Sequence, residues 1–260
     1  MSIFITQLQA NKKINQSWNG FLNMKVVQNE LTNIQKSIGN NFTPSSNLVL
    51  RFLQNDLNKV RVVIIGKDPY PQLGVATGRS FEVNFNTVKG KNDWNNTNIN
   101  ISLKNIIKLI HKSSNNKQKA DTITVVRNDI NNNNFNIPSP QKIFDYWEKQ
   151  GVLFLNSAFT CEIGNSKQSG SHIVYWKAFT QELLNYIIKN GEKDIKFFLW
   201  GEYSKNHQNL LLSSGVNQNN IYASAHPSSR GNLAGYLRNS QFFMSPCFYD
   251  TNHSIINWNI

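Results

Sequence analysis

The 260-residue chain has few cysteines, few acidic residues and no long hydrophobic run. Its two cysteines, Cys161 and Cys247, are too few for a disulfide framework or a four-ligand zinc site, and they favour a reducing compartment. No segment approaches the ~18 apolar residues of a membrane span, and the first residues lack the pattern of a secretory signal peptide. We therefore expect a soluble, cytoplasmic protein.

Acidic residues are outnumbered, since 15 Asp and Glu stand against 27 Lys and Arg and give a formal net charge of +12. Such a balance favours a polyanionic partner, with nucleic acid first and an anionic membrane second. The alternative is a basic surface kept for solubility. The 41 asparagines are typical of AT-rich coding, and part of the lysine excess shares that explanation.

Short apolar runs alternate with helical patterns along most of the chain. The runs that predict strands lie at residues 60–65, 152–155, 195–200 and 221–224, and helical spacing is clear at 102–112, 143–147 and 176–188. This alternation predicts an α/β protein with a central, four-stranded, mainly parallel twisted sheet and helices on both faces. The apolar fraction of 39% is sufficient for a core of that kind.

Two segments fall outside this alternation. Residues 1–43 are predicted to form an N-terminal helical extension, because Ile14, Trp18 and Phe21 recur at helical spacing. Residues 44–260 are then the main domain. Within it, residues 113–136 are polar and rich in Asn, and we predict a loop or an insertion there.

Polar residues follow each predicted strand. Asp68, Asn156, Gly201 and His226 lie just past the four apolar runs. Ligands of parallel sheets bind outside the carboxyl ends of the strands, so these four residues are expected to share one crevice. Asp68, held between prolines, could act as a general base or stabilise a developing cation, and the alternative is an Asp that only forms a turn or caps a helix.

His226 and Asn156 also have two interpretations each. His226 could donate a hydrogen bond to a developing oxyanion, or it could be a surface or capping histidine. The amide of Asn156 could bind the edge of a nucleic-acid base, or it could simply connect two loops.

Seven short motifs, in order and at consistent spacing, resemble those of the family 1 uracil-DNA glycosylases over residues 48–245. They are residues 66–71 (G-K-D-P-Y-P), 78–83 (G-R-S-F-E-V), 102–106 (S-L-K-N-I), 147–156 (W-E-K-Q-G-V-L-F-L-N), 171–179 (S-H followed by W-x-x-F), 199–201 (L-W-G) and 225–228 (A-H-P-S). The resemblance implies the uracil-DNA glycosylase fold.

The resemblance implies an enzyme of base-excision repair that flips uracil out of DNA and hydrolyses its N-glycosidic bond, leaving an abasic site. It needs no metal or cofactor. Asp68 would orient the water and stabilise the cationic sugar, and a neutral His226 would donate to uracil O2.

The resemblance also implies a uracil pocket. Phe81 would stack on the base, Asn156 would bond uracil O4 and N3–H, and Tyr70 would exclude the methyl group of thymine. Backbone N–H groups around Lys67 would assist. The residues implied to contact DNA are Pro71, Ser102, Ser171, His172, Ser228 and Arg230.

Several positions depart from the usual pattern. Lys67 replaces the common Gln, Pro71 replaces the His of many members, and Glu202 stands where Ser is common. The proline-rich stretch that usually precedes Ser102 is absent. Arg230 occupies the position at which most members have a Leu that enters the duplex as a wedge, and poxviral relatives resemble this sequence there. Leu233 is an alternative wedge. We therefore expect weaker action on duplex DNA than on single strands.

The implied partner is uracil-containing DNA, single- or double-stranded, in a bacterial or virus-infected cell. A DNA-mimicking inhibitor protein or a polymerase subunit is a possible second partner, and we expect a monomer without membrane contact. Two other functions stay open: a glycosylase-fold scaffold that acts as a polymerase processivity subunit, and a sibling glycosylase with another base preference.

Overall fold

The computed structural model describes residues 2–10, 14–87, 93–96, 98–229 and 242–260. Within them the helices are α1 (Ile3–Ala10), α2 (Asn19–Leu22), α3 (Lys25–Ile38), α4 (Ser46–Val49), α5 (Ile101–Ser114), α6 (Ile123–Asn131), α7 (Ile143–Glu148), α8 (Ile173–Asn190), α9 (Glu202–Lys205), α10 (Gln208–Ser213) and α11 (Cys247–Thr251). The strands are β1 (Phe42–Thr43), β2 (Val62–Gly66), β3 (Val152–Asn156), β4 (Cys161–Glu162), β5 (Lys196–Trp200) and β6 (Ile221–Ser224).

The central sheet contains four parallel strands in the order β3-β2-β5-β6. Its register pairs Gly66 with Asn156 and Trp200 with Ser224, so the strands end nearly level at one edge. The predicted sheet is confirmed. Its β-branched and aromatic runs suit strands that are buried on both faces.

Alternate residues of each strand enter two separate cores, because side chains point to opposite faces with a period of two. In β2, Val63 and Ile65 pack with residues of α1, α3 and α8 on one face. Val62 and Ile64 pack with residues of α5, α7 and α11 on the other face. The expected helices on both faces are therefore confirmed.

A small antiparallel pairing of β1 with β4 lies beside the main sheet and was not predicted. Its strands are two residues long, too short to give a periodic signal. Cys161, in β4, also donates through Sγ to the carbonyl of Pro69 at 3.2 Å. This bond holds the segment after β3 close to the loop that follows β2.

Residues 113–136 were predicted to be a loop or an insertion, and a loop throughout is wrong, because α6 forms within the segment. The insertion stays a prediction. Thr122 caps this helix by accepting from the backbone N–H of Val125, and Val126 is fully buried. The surrounding asparagines conceal the helical spacing of the apolar residues. Asn132 is the C-cap, so part of the Asn run ends the helix.

The N-terminal segment is helical, but the boundaries differ from the prediction. Ile14 lies outside the helices, and Trp18 belongs to a 3₁₀ turn that precedes α2. The long helix is α3, which buries Val27 and Leu31 and packs against α8. The boundary at residue 43 stays a prediction. Among the described residues, no helix has the length and apolar character to cross a membrane.

Candidate active site

The loop after β2 and the loop after β3 meet at Gly66. A Cβ added to Gly66 would lie 2.6 Å from Asn156 Oδ1 and 3.4 Å from Phe81 Cε2, so a larger residue would force these side chains apart. The backbone N–H of Ala158 donates to the carbonyl of Lys67 at 3.0 Å and continues the connection beyond the strands. Glycine at position 66 thus allows an aromatic ring and an amide to share one site.

The carboxylate of Asp68 is held at both oxygens by a segment about a hundred residues away. Ser169 Oγ donates to Oδ1 at 2.9 Å, and the backbone N–H of Gly170 donates to Oδ2 at 2.5 Å. Burial raises the pKa of Asp68, while these two hydrogen bonds and the charge of Lys67 act in the opposite direction. The long-range partners disfavour the interpretation of Asp68 as a simple turn residue.

The imidazole of His226 has one nitrogen committed as an acceptor. The backbone N–H of Ser228 donates to Nδ1 at 3.1 Å, and a peptide N–H can only donate. Burial, assisted by the charge of Lys67, lowers the pKa of His226 to about 4. The ring is therefore neutral at physiological pH and carries its proton on Nε2, where it can donate.

The ring of Phe81 lies between two other rings. Its centroid is 5.2 Å from that of Trp200 and 5.5 Å from that of His226. Phe81 has a φ of 65°, an unusual value for an aromatic residue. Gly201, with a φ of 99°, leaves room for His226, because a Cβ there would be 3.2 Å from the Cβ of His226.

Tyr70 faces the start of α5. Its hydroxyl is hydrogen-bonded to the side chain of Ser102, and burial raises the pKa of Tyr70 to about 12, so the phenol stays neutral. Asn105, one turn further along α5, donates through Nδ2 to the carbonyl of Pro227 at 2.7 Å. The first turns of α5 therefore contact both the Tyr70 loop and the His226 loop.

Ser171 and His172 lie where α8 begins. Ser171 Oγ accepts from the backbone N–H of Glu162 at 2.9 Å, and His172 Nδ1 is 3.0 Å from Thr160 Oγ1. Burial lowers the pKa of His172. Pro71 is fixed in the same region, since its carbonyl accepts from the N–H of Gly164 at 2.9 Å. Ser171 and His172 directly follow the two residues that hold Asp68, whereas Pro71 lies three residues after Asp68 itself.

Lys67 has a side-chain position that the sequence did not suggest. Its Nζ donates to Ser169 Oγ at 3.1 Å and lies 4.5 Å from the ring centroid of Tyr203. Glu202, a departure that could repel DNA, is exposed and pairs with Lys205 at 2.8 Å. Its charge is thus partly offset by a neighbour.

A buried charge cluster supports the segment that carries Phe81. Arg79 Nη1 donates to Glu82 Oε1 at 3.0 Å, and Nε donates to Glu148 Oε1 at 3.0 Å. Arg79 Nη2 also donates to Asp145 at 2.7 Å. The cluster fixes the Phe81 segment to α7, the helix that leads into β3 and Asn156.

Three residues that support the site were not predicted from the sequence: Ser169, Gly170 and Arg79. The first two are small residues in a polar loop, and their only signal was their position directly before the S-H motif. Arg79 lies inside the G-R-S-F-E-V motif, where nothing in the sequence indicates that its charge is buried. Arg230 and Leu233, the two candidate wedge residues, lie outside the described residues.

The carboxyl edge of the sheet therefore brings together a carboxylate, a neutral imidazole donor, an aromatic ring and an amide. These groups belong to Asp68, His226, Phe81 and Asn156, and Lys67 acts electrostatically on the first two. Such a set can bind a planar heterocycle, stabilise a cation on one side and donate to an anion on the other.

Comparison with known proteins identifies matching sequences over most of the chain. The model of the Uracil DNA glycosylase superfamily matches residues 54–245. The uracil-DNA glycosylase of Azotobacter vinelandii is 29% identical over 230 residues, which cover 87% of this chain and 83% of that protein. The uracil-DNA glycosylase of Azobacteroides pseudotrichonymphae is 28% identical over 262 residues, which cover 95% and 100%.

Solved structures share the fold. The UNG crystal structure from Nitratifractor salsuginis aligns with a TM-score of 0.63 at 19% identity and covers 92% of this chain and 93% of that one. A variant of mimivirus UNG in complex with UGI aligns with a TM-score of 0.63 at 22% identity and covers 95% and 89%.

Proposed function

This chain belongs to the Uracil DNA glycosylase superfamily, and we propose that it is a family 1 enzyme with Asp68 and His226 as its catalytic residues. It is a uracil-DNA glycosylase, an enzyme of DNA repair. The observation that carries the residue assignment is that two groups follow strands β2 and β6 at the carboxyl edge of the sheet: a carboxylate fixed at both oxygens and an imidazole kept neutral.

In the proposed reaction, the bond between uracil N1 and the sugar C1′ breaks, and its electron pair leaves with the base. The sugar becomes cationic, and the carboxylate of Asp68 stabilises it while orienting the water that attacks C1′. The Nε2–H of His226 donates to uracil O2 as negative charge develops there. The water loses a proton to solvent and the uracil anion takes one up from solvent, so the products are an abasic sugar and uracil.

The neutrality of His226 suits this role. With a pKa of about 4, the imidazole holds no positive charge at physiological pH, and Ser228 commits Nδ1 as an acceptor. Nε2 is then the atom that donates. A cationic imidazole would instead repel the neighbouring Lys67.

We assign base recognition to three side chains. Phe81 stacks on the flipped uracil, Asn156 bonds O4 and N3–H, and Tyr70 blocks the position of a thymine methyl group. The close approach of Asn156 and Phe81 around Gly66 supports a flat pocket, and the hydrogen bond with Ser102 supports a fixed Tyr70 ring. Backbone groups near Lys67 complete the site.

We assign DNA backbone contacts to Pro71, Ser102, Ser171, His172 and Ser228 around the crevice. Arg230 is assigned to the same role from its place in the sequence motif alone. The net charge of +12 supports binding of phosphates without sequence preference. A DNA-mimicking inhibitor protein would compete for the same surface. A cytoplasmic location, a monomeric state and the polymerase-scaffold alternative remain predictions.

The decisive experiment measures uracil release from a single-stranded oligonucleotide in EDTA. We expect release by the wild type and a loss of most activity in Asp68→Asn, with DNA binding retained. Asp194→Asn, a matched change at an exposed position, should behave as wild type. Absence of release by the wild type, with DNA still bound, would favour the scaffold alternative and make a polymerase pull-down the next step.

A further inference from the structure

Lys67, Ser169 and Asp68 form a continuous hydrogen-bond chain. Lys67 Nζ donates to Ser169 Oγ at 3.1 Å, and Ser169 Oγ donates to Asp68 Oδ1 at 2.9 Å. We propose that Lys67 and Ser169 are positioning residues that hold Asp68 as an oriented carboxylate. The charge of Lys67 also acts on His226, which gives this residue a double role. This inference rests on the proposed function, in which Asp68 and His226 need opposite electrostatic support.

The chemistry of the three groups fixes the direction of the chain. An ammonium group has donors and no acceptor, so the Ser169 oxygen must accept from Lys67. The single hydroxyl proton of Ser169 is then available to Asp68 Oδ1. Since the N–H of Gly170 occupies Oδ2, both oxygens are held and the plane of the carboxylate is determined.

The Lys67 side chain is itself held in place. Its Nζ lies over the ring of Tyr203, 4.5 Å from the centroid, a favourable position for a cation. Gly170 leaves space for it, because a Cβ at that position would be 3.1 Å from Lys67 Nζ. The φ of Gly170 is 93°, which also favours glycine. Gly170 therefore binds Asp68 and makes room for the cation.

One positive charge acts on both catalytic groups. Burial raises the pKa of Asp68, and the charge of Lys67 counteracts that rise. Burial lowers the pKa of His226, and the same charge lowers it further. The Cys161 thiol is another titratable neighbour of Asp68. Burial raises the pKa of Cys161 to about 12, so this thiol stays neutral. Lys67 thus favours an ionised acid beside a neutral donor.

Two other roles for these residues predict different behaviour. If Lys67 only bound a DNA phosphate, its removal would weaken DNA binding and leave the pH profile unchanged. If Ser169 only stabilised the loop, its removal would lower the rate equally at every pH. Loss of the proposed support instead raises the pKa of Asp68, so the acidic limb of the rate profile moves to higher pH.

The test measures single-turnover uracil release at saturating enzyme, across pH, from a uracil-containing single strand. We compare wild type with Lys67→Gln, Lys67→Arg and Ser169→Ala. Lys189→Gln is the matched control, because Lys189 is exposed and lies 17 residues beyond His172, about 25 Å along a helix. Circular dichroism and DNA affinity are measured for every variant.

We expect the acidic limb to move upward by about one pH unit in Lys67→Gln and Ser169→Ala, which makes the rate roughly tenfold lower at acidic pH. Lys67→Arg should restore most of the wild-type profile, since it keeps the cation. Coincident acidic limbs, or equal losses at every pH, would overturn the proposal. An inactive wild type would instead refute the proposed function.

A second measurement does not depend on activity. Imidazole NMR of the free protein follows the titration of His226 in wild type, Lys67→Gln and Ser169→Ala. The pKa of His226 should rise in Lys67→Gln and remain at the wild-type value in Ser169→Ala, which keeps the charge. An unchanged His226 pKa in Lys67→Gln would contradict the proposed double role of Lys67.

Discussion

The backbone N–H of Ser228 donates to Nδ1 of His226 across 3.1 Å, so a residue two positions along the chain determines which nitrogen carries the proton. Ser228 Oγ also lies 2.9 Å from the same nitrogen. The imidazole is thereby oriented by its own loop, and that loop is fixed to α5 by the bond from Asn105 to Pro227. Nε2 is left as the donor.

Replacing His226 by Asn should reduce the maximal rate by about 10²–10³-fold, the usual cost of removing one donor to a developing oxyanion. DNA affinity should change little, because the hydrogen bond strengthens as the base leaves. Single-turnover kinetics and a binding titration separate the two effects. His253→Asn, at an exposed position, is the matched control. A loss confined to DNA affinity would contradict the donor role.

Tyr70→Ala should begin to release thymine, because the phenol ring would no longer occupy the position of the methyl group. Tyr70→Phe keeps the ring but loses the hydrogen bond with Ser102, so it should remain specific for uracil. Release is measured from oligonucleotides that contain only one of the two bases. If Tyr70→Ala remains strictly specific for uracil, the pocket assignment is incorrect.

Acid should destabilise the fold through His207. Burial lowers the pKa of His207 to about 4, and the unfolded chain has the ordinary value near 6.5. The unfolded state therefore binds more protons, and stability falls as the pH drops from 6.5 toward 4. For His207 the loss is about 2–3 kcal/mol.

Urea unfolding at several pH values tests this expectation. His207→Asn removes the titrating group and should flatten the dependence between pH 6.5 and 4. His253→Asn, at an exposed position, is the matched control. Equal slopes in wild type and His207→Asn would show that His207 does not titrate as its burial implies.

The sheet was predictable because its strands carry a strong local signal. Residues 62–65 and 152–155 are continuous apolar runs, and the rule for parallel sheets then located Asp68, Asn156 and His226 at one edge. Helix α6 was not predicted, because asparagines surround its few apolar residues. Local composition there outweighed the periodic signal.

The supporting contacts of the site were beyond sequence reasoning for a different reason. Ser169 and Gly170 reach Asp68 across about a hundred residues, and no periodicity links positions so far apart. Arg79 and Glu148 likewise belong to separate motifs, and only the fold brings them within hydrogen-bond distance. Residue types identify groups that can react, whereas tertiary structure determines which groups hold them.

Action on duplex DNA should be weaker than on single strands, because Arg230 replaces the usual apolar wedge. Arg230→Leu should therefore raise the rate on duplex uracil more than the rate on single-stranded uracil. Leu233→Ala tests the alternative wedge and should leave the duplex rate unchanged if Arg230 has that role. The ratio of the two rates is the measured quantity. Equal rates of wild type on both substrates would refute this expectation.

The charge cluster around Arg79 should be essential for stability. Its guanidinium is buried and donates to Glu82 and Glu148. Arg79→Met therefore leaves two carboxylates that have little solvent and only the more distant cation of Arg51, which lies 3.6 Å from Glu82. Breaking a buried ion pair at one partner costs roughly 3–5 kcal/mol. Urea unfolding measures this loss, and Arg61→Met, at an exposed arginine, should cost far less.

A triple variant distinguishes whether the charge cluster around Arg79 positions Phe81 or only stabilises the fold. Neutralising the two carboxylates together with the cation, in the triple variant with Arg79→Met, Glu82→Gln and Glu148→Gln, should recover part of the lost stability, because the two side chains that lost their cation are no longer charged. It should not recover the rate, since the hydrogen bonds that fix the Phe81 segment to α7 are still missing. Recovery of both stability and rate would mean that the cluster only stabilises the fold and that Phe81 is positioned without it.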